Sequence, residues 1–324
     1  MIWGANNGGR GSRGPRVVAL GGGHGLYASL SALRLITQNI TAVVTVADDG
    51  GSSGRLRDEF NVIPPGDLRM ALSALCDDGE WGQTWRDVLQ YRFSSEGPLN
   101  GHAMGNLLIV SMWEQLGSTV SGLDWVGQLL RIDGRVLPMS PIPLEIEARV
   151  IDEEDGPQLY RGQVAVATAR GKVEHVSLIP ENPPAQPEAI AAIDEADWIV
   201  FGPGSWYTSV IPHLMVPDLH AALVRSPARR VLALNLRTER ETWGMSAADH
   251  IRSFARHAPD LRIDVVVADP RSVDDIGEVA AEAEGIGATL MLRQVRMGDN
   301  RARHDALRLA AAYRDAFEGV IGDS

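Results

Sequence analysis

The sequence predicts a Rossmann-like, doubly wound α/β fold: a mainly parallel sheet with helices on both faces and a small β-rich insertion. Three observations carry this. Short apolar runs of strand length recur at Val17–Leu20, Thr41–Ala47, Trp198–Phe201, Arg230–Asn235 and Ile263–Ala268. Glycine-rich loops follow two of them, at 21–25 and 202–205. The order strand, glycine loop, helix, strand opens a βαβ unit, whose crossover makes neighbouring strands parallel.

In chain order, Met1 to Pro15 are rich in Gly, Asn and Arg. They read as a flexible tail with no hydrophobic core of a secretory signal, which fits a cytoplasmic protein. After the first strand and the loop 21–25, Leu26, Leu30, Leu33 and Ile36 mark an amphipathic helix from Leu26 to about Thr37. The strand Thr41–Ala47 runs into 48–54, a stretch so rich in Asp, Gly and Ser that it reads as a non-core loop. Residues 67–75, 82–91, 103–116 and 121–131 read as helices. Between about 136 and 180, Pro138, Pro141 and Pro143, an acidic turn at 152–156 and β-rich runs at 145–151, 163–168 and 173–179 indicate the insertion. Parallel rhythm returns at Trp198. Ala302, Ala306, Leu309, Ala310, Tyr313 and Phe317 form the stripe of a C-terminal helix. No internal repeat is apparent, so 16–324 reads as one domain.

Composition narrows the function. The chain has 324 residues, 44% of them hydrophobic, a net charge of −12 and a pI near 5.1. That acidity argues against binding a nucleic-acid polymer or an anionic membrane, both of which need a basic surface. No apolar run reaches the roughly 18 residues of a membrane span. The single cysteine, Cys76, excludes an intrachain disulfide and a cysteine-based zinc site.

Five motifs carry candidate chemistry. Gly21, Gly22, Gly23, His24 and Gly25 stand between strand and helix, where bare backbone can approach a phosphate; Gly23–Ala28 also satisfies G-x-G-x-x-G/A, with Asp48 about 20 residues on. The plain alternative is a tight turn without a ligand. Asp48, Asp49, Gly50, Ser52 and Ser53 close a strand at the sheet edge where such folds bind ligands. The two acids could accept hydrogen bonds from a sugar, hold Mg²⁺ or act as a base, or form only a solvated turn. Asp67 of 64–69 reads as a helix N-cap beside Arg69, and His102 and Asn106 share a helix face; each has a structural reading as plausible as the ligand one. Gly202, Gly204, Ser205, Thr208 and Ser209 make a second strand-to-helix loop suited to a diphosphate, without the G-K-[ST] ending of a P-loop. Asn235, Arg237 and Thr238 end a further strand as rim residues.

Read together, GGGHG, TVADDGGSSGRLR, PPGDLR, GHAMGNLL, ADWIVFGPGSWYTSVIP and LNLRT resemble the bacterial gluconeogenesis-factor proteins, relatives of 2-phospho-L-lactate transferase, from about Arg16 to Asp269. The family's usual GGGTG is GGGHG here. The resemblance implies a Rossmann-like fold, a cytoplasmic location and two alternative activities. One is a regulator that binds a UDP-sugar and is linked to cell-wall and cell-shape control and carbon metabolism. The other is a transferase moving a phospholactyl group from a guanosine-diphosphate donor to a deazaflavin with Mg²⁺, in which Asp49 matches the acceptor-facing acid. ADDGGSSG and PPGD favour the regulator. An NAD-dependent dehydrogenase ranks third. A nucleotide sugar is thus the expected small-molecule partner, with no metal assigned; a homo-oligomer and a regulatory protein partner are left open.

Overall fold

A computed structural model describes residues 14–152, 156–299 and 302–319; most of the expected N-terminal tail lies outside them. Strand β1 (Val17–Gly21) leads through helix α1 (Gly23–Leu33) to β2 (Ile40–Val44). Helices α2 (Gly51–Phe60), α3 (Gly66–Leu75), α4 (Glu80–Gln90), α5 (Met104–Leu116) and α6 (Thr119–Leu130) precede β3 (Arg135–Pro138). The insertion follows as β4 (Glu145–Asp152), β5 (Gly156–Arg161), α7 (Gln163–Thr168) and β6 (Lys172–Ile179). The alternation then resumes with α8 (Pro187–Asp194), β7 (Trp198–Phe201), α9 (Pro217–Arg225), β8 (Arg229–Ala233) and α10 (Ala247–His257). It closes with β9 (Val265–Ala268), α11 (Ile276–Gly285), β10 (Thr289–Leu292) and α12 (Ala306–Glu318).

The main sheet has seven strands in the order β10-β9-β8-β7-β1-β2-β3, all parallel. Its central strands are buried on both faces (Val17–Gly21 and Val265–Ala268 throughout), which is why they read as unbroken apolar runs. From β1 the chain winds outward through β2 to β3; from β7, on the other side of β1, it winds outward to β10. The carboxyl ends of β1 and β7 therefore flank a topological switch point, the place where open α/β sheets bind ligands. The insertion is a separate three-stranded antiparallel sheet, β5-β4-β6. A core hydrogen-bond chain locks α12 to the site: Ser29 donates to the Gly202 carbonyl at 2.8 Å, so its oxygen accepts from the Tyr313 hydroxyl at 2.6 Å. No described helix is long and apolar enough to cross a membrane.

Five local expectations change. Helix α1 begins inside the glycine loop, at Gly23, and stops at Leu33. The supposed loop 48–54 turns helical at Gly51, and Ser52, Ser53 and Gly54 are buried because their polar groups find partners within the protein. Asp67 lies in the first turn of α3 rather than capping it. Residues 163–168 alternate like a strand yet form α7, started by a carboxylate from another loop; the third strand of the insertion is instead 156–161. Finally, 135–138 belongs to the main sheet, so the insertion begins after Pro138.

Candidate functional site

The two glycine loops meet at the switch point. A Cβ on Gly25 would stand 2.1 Å from the Pro203 carbonyl oxygen and 2.4 Å from Gly204 Cα, so the loops pack backbone on backbone. Gly25 is thus a packing glycine. One turn back, at Gly22, side chains rather than backbone crowd the glycine. There the Cβ position is 2.5 Å from Asp67 Oδ2, 2.5 Å from Thr45 Cγ2 and 3.2 Å from Ser209 Oγ. Asp67 Oδ2 and Thr45 Oγ1 are buried without a partner among the described residues. Buried polar atoms normally have partners, so an unsatisfied pair at a sheet's carboxyl edge marks a place for a ligand or ordered water. His24 sits exposed at the start of α1.

Two acids define the electrostatics. Burial, then the charge of Asp48, push the Asp67 carboxyl up from 3.8 to about 7, against the pull of the Gly23 N–H and Arg69. Burial also raises Asp48, opposed by the Gly50 N–H, the Ser53 hydroxyl and Arg57. Asp48 Oδ1 accepts from Gly50 N at 2.9 Å, and Oδ2 lies 2.8 Å from the Cβ position of Gly66, next to Asp67. Asp49 turns away: it is exposed and accepts from the Val164 N–H at 3.0 Å, holding the start of α7. It ties the insertion to the crevice.

Behind the acids runs a buried polar chain. Ser52 Oγ accepts from Asn106 Nδ2 at 3.0 Å and from the Ala103 N–H at 3.2 Å, so its proton faces His102 Nδ1 at 3.0 Å. His102 is then neutral, with its hydrogen on Nε2. Asn106 Oδ1 accepts from Arg69 Nε at 2.9 Å, and Arg69 also donates to the Gln90 side chain. Burial, then Arg92, lower Arg69 to about 10, while Asp67 and Asp48 act the other way. Ser53 Oγ accepts the Gly66 N–H at 2.9 Å, seating α3 on α2. The sequence-predicted residues Ser52, Ser53, Arg69, His102 and Asn106 thus support the site through one another. Ser52→Ala is expected to cost about 2–3 kcal/mol, because three donors or acceptors lose a partner at once; urea unfolding measures it.

The second loop is already clamped. The Asn235 side chain accepts from Gly204 N and donates to Gly204 O, both at 2.8 Å. Ser205 donates to Glu239 Oε2 at 2.8 Å, and the Tyr207 N–H donates to Glu241 Oε1 at 3.1 Å. Thr208 and Ser209 are buried, while Thr238 is exposed on the rim. Burial, then Glu239, push Glu241 up to about 7. Sequence reading missed both glutamates; their only signal was their place just after 234–238. Of the basic edge beyond Asn235 it named Arg237 alone. Arg237, Arg240 and Arg303 are exposed there. Arg296 donates to the Leu236 carbonyl at 2.6 Å, and Arg308 to the Arg296 carbonyl at 2.9 Å.

This arrangement agrees with comparison to known proteins. The family model "2-phospho-L-lactate transferase CofD" matches residues 17–303. A Mycobacterium tuberculosis (strain H37Rv) protein named "Putative gluconeogenesis factor" is 50% identical over 316 residues, covering 95% of this chain and 92% of its own. The Bacillus subtilis (strain 168) "Gluconeogenesis factor" is 36% identical over 262 residues, covering 81% of this chain and 80% of its own. A crystal structure from Bacillus halodurans, described as a member of the UPF0052 family, superposes with a TM-score of 0.82 at 33% identity, covering 93% of this chain and 99% of that one. The parallel sheet, the paired glycine loops and these matches over nearly the whole chain have one reading: the protein belongs to the 2-phospho-L-lactate transferase CofD family, alongside the bacterial gluconeogenesis factors.

Proposed function

We propose that the crevice binds the diphosphate of a UDP-sugar and that the protein acts in the cytoplasm as a nucleotide-sugar-responsive regulator of the gluconeogenesis-factor type, linked to cell-wall and cell-shape control. The observation that carries this is the unpartnered buried edge at Gly22, formed by Asp67 Oδ2 and Thr45 Oγ1 with Ser209 beside them. The relatives carry the name gluconeogenesis factor, the group whose motifs the sequence resembles, and the basic edge beyond Asn235 supplies charge of the sign a diphosphate needs.

An acid facing a phosphate is repulsive when both are charged, by roughly 4 kcal/mol for unit charges at about 4 Å and an effective dielectric near 20. Asp67 avoids this by keeping its proton: at about 7 it is half protonated in neutral solution, and the protonated carboxyl donates a hydrogen bond to the anion. Arg69 behind it holds the local field near neutral. A thermal-shift screen of UDP-GlcNAc, UDP-glucose, GDP and NAD tests the reading. The UDP-sugar is expected to add about 2.7 kcal/mol of apparent stability at 100 times its Kd. A response to GDP or NAD alone would refute it.

One observation favours a second reading. Asp48 and Asp67 are two carboxylates repelling each other, and Mg²⁺ is commonly held by one or two carboxylates plus substrate phosphates. No group of three or more His, Cys, Asp or Glu among the described residues would hold a metal alone, so such an ion would bind with the nucleotide. That is the arrangement a phospholactyl transferase needs. Incubation with the guanosine-linked donor, deazaflavin and Mg²⁺ tests it; on the regulatory reading no product forms.

A further inference from the structure

The second glycine turn is filled by the protein's own carboxyl groups. In strand-to-helix turns that bind phosphate, the free backbone N–H groups and the nearby hydroxyl face the ligand. Here the Tyr207 N–H donates to Glu241 and the Ser205 hydroxyl to Glu239. We propose that residues 236–243 form a displaceable strap whose Glu241 carboxylate stands in for a ligand phosphate on the 205–209 turn, so that nucleotide binding and strap closure compete. This rests on the nucleotide-sugar reading above and adds to it a built-in inhibitor.

The attachments of the strap are few. One end is fixed where Asn235 clamps Gly204, and the other where Ser246 and Asp249 cap α10 reciprocally. Between them, the side-chain bonds that reach the turn are those of Glu239 and Glu241. At its base the Leu236 carbonyl accepts from Ser272 Oγ at 2.9 Å and from Arg296 at 2.6 Å; further along, Glu239 and Thr242 form a reciprocal cap on Arg240–Thr242. Its outer face is exposed at Arg237, Arg240 and Trp243, the last at 74%.

The charges around Glu241 make closure conditional. Glu239 stands beside it on the same strap and repels it. The turn contributes Tyr207; α10 brings Asp249 and His250, and His250 is kept neutral by burial. The packed helix α7 carries no ionisable side chain, and β6 carries Lys172, Glu174 and His175. No arginine or lysine pairs with Glu241 among the ion pairs of the described residues. Burial raises it to about 7 from 4.5. In the open strap the group returns to its ordinary value, so deprotonation favours opening: the closed state is fully favoured below about pH 4.5 and weakens as pH rises through 7.

Limited trypsin digestion with mass spectrometry reads the strap directly through Arg237 and Arg240, normalised to cleavage at Arg170. Between pH 6.5 and 8.5, strap cleavage in the wild type is expected to rise about fourfold beyond the control site. Glu241→Gln, which keeps the acceptor and removes the charge, should abolish the rise. Strap cleavage with equal pH response in wild type and variant overturns the proposal. In calorimetry at pH 7, Glu241→Ala is expected to bind UDP-GlcNAc about tenfold more tightly, because the competing carboxylate is gone. Wild-type binding with equal or weaker binding by a folded Glu241→Ala overturns it, as does ligand-induced protection of Arg237 and Arg240. If neither protein binds UDP-GlcNAc while the pH-dependent cleavage is present and charge-dependent, the strap stands and the nucleotide-sugar reading fails.

Discussion

Gly25→Val is expected to leave little or no folded protein. The added Cβ would fall 2.1 Å from the Pro203 carbonyl oxygen and 2.4 Å from Gly204 Cα, and neither is a flexible side chain that can swing aside. Relief requires the loops after β1 and β7 to separate, which breaks the centre of the parallel sheet and the Asn235 clamp on Gly204. A cost of about 3–5 kcal/mol or more follows, comparable with the total stability of many domains. Soluble yield and the urea midpoint measure it. Gly97→Ala is the control: its Cβ would meet nothing within 4 Å, and its stability should stay within about 0.5 kcal/mol of the wild type. A Gly25→Val protein as stable as that control would show that the loops do not pack as described.

Asp67→Asn should stabilise the free protein at alkaline pH. The Asp67 carboxyl is raised from 3.8 to about 7. For a raised acid, the unfolded chain ionises first, so its contribution is fully present below about pH 4 and is lost as pH rises through 7. That loss is about 4 kcal/mol for three pH units, and asparagine does not suffer it. The variant's advantage should therefore grow between pH 4.5 and 8.5, reaching several degrees in Tm. The buried His213 and the half-buried His304 are lowered to about 4, chiefly by desolvation, and act in the opposite sense, destabilising the fold as pH falls from 6.5. They are common to both proteins and cancel in the comparison. A pH-independent difference between wild type and Asp67→Asn would mean that Asp67 is ionised in the native site.

The sequence made the architecture readable because parallel strands buried on both faces leave apolar runs, and glycine loops mark the turns between them. It was less informative about roles. Ser52, His102, Asn106 and Arg69 were recognisable as polar residues in three motifs, but only the fold shows that they bond to one another around Ser52. Asp48 and Asp49 look alike in sequence; one is drawn into the crevice beside Gly66, and the other reaches Val164, 115 residues away. That long-range contact also accounts for 163–168 forming a helix where its pattern predicts a strand. Glu239 and Glu241 lacked any periodic or motif signal, because their function as acceptors depends on a turn some 34 residues earlier.

The central claim is that a partly protonated Asp67 receives the diphosphate without a metal. Calorimetric titration of UDP-GlcNAc into wild type and Asp67→Asn at pH 6.5 and 8.5, with EDTA present throughout, tests it most directly. The account predicts binding by both proteins in EDTA. Relative to Asp67→Asn, which shares the strap's pH response, wild-type affinity should fall on the order of tenfold from pH 6.5 to 8.5, because the ionised acid repels the ligand. Binding that disappears in EDTA and returns with Mg²⁺ would contradict the account, placing a cation between Asp48 and Asp67 as the transferase reading requires.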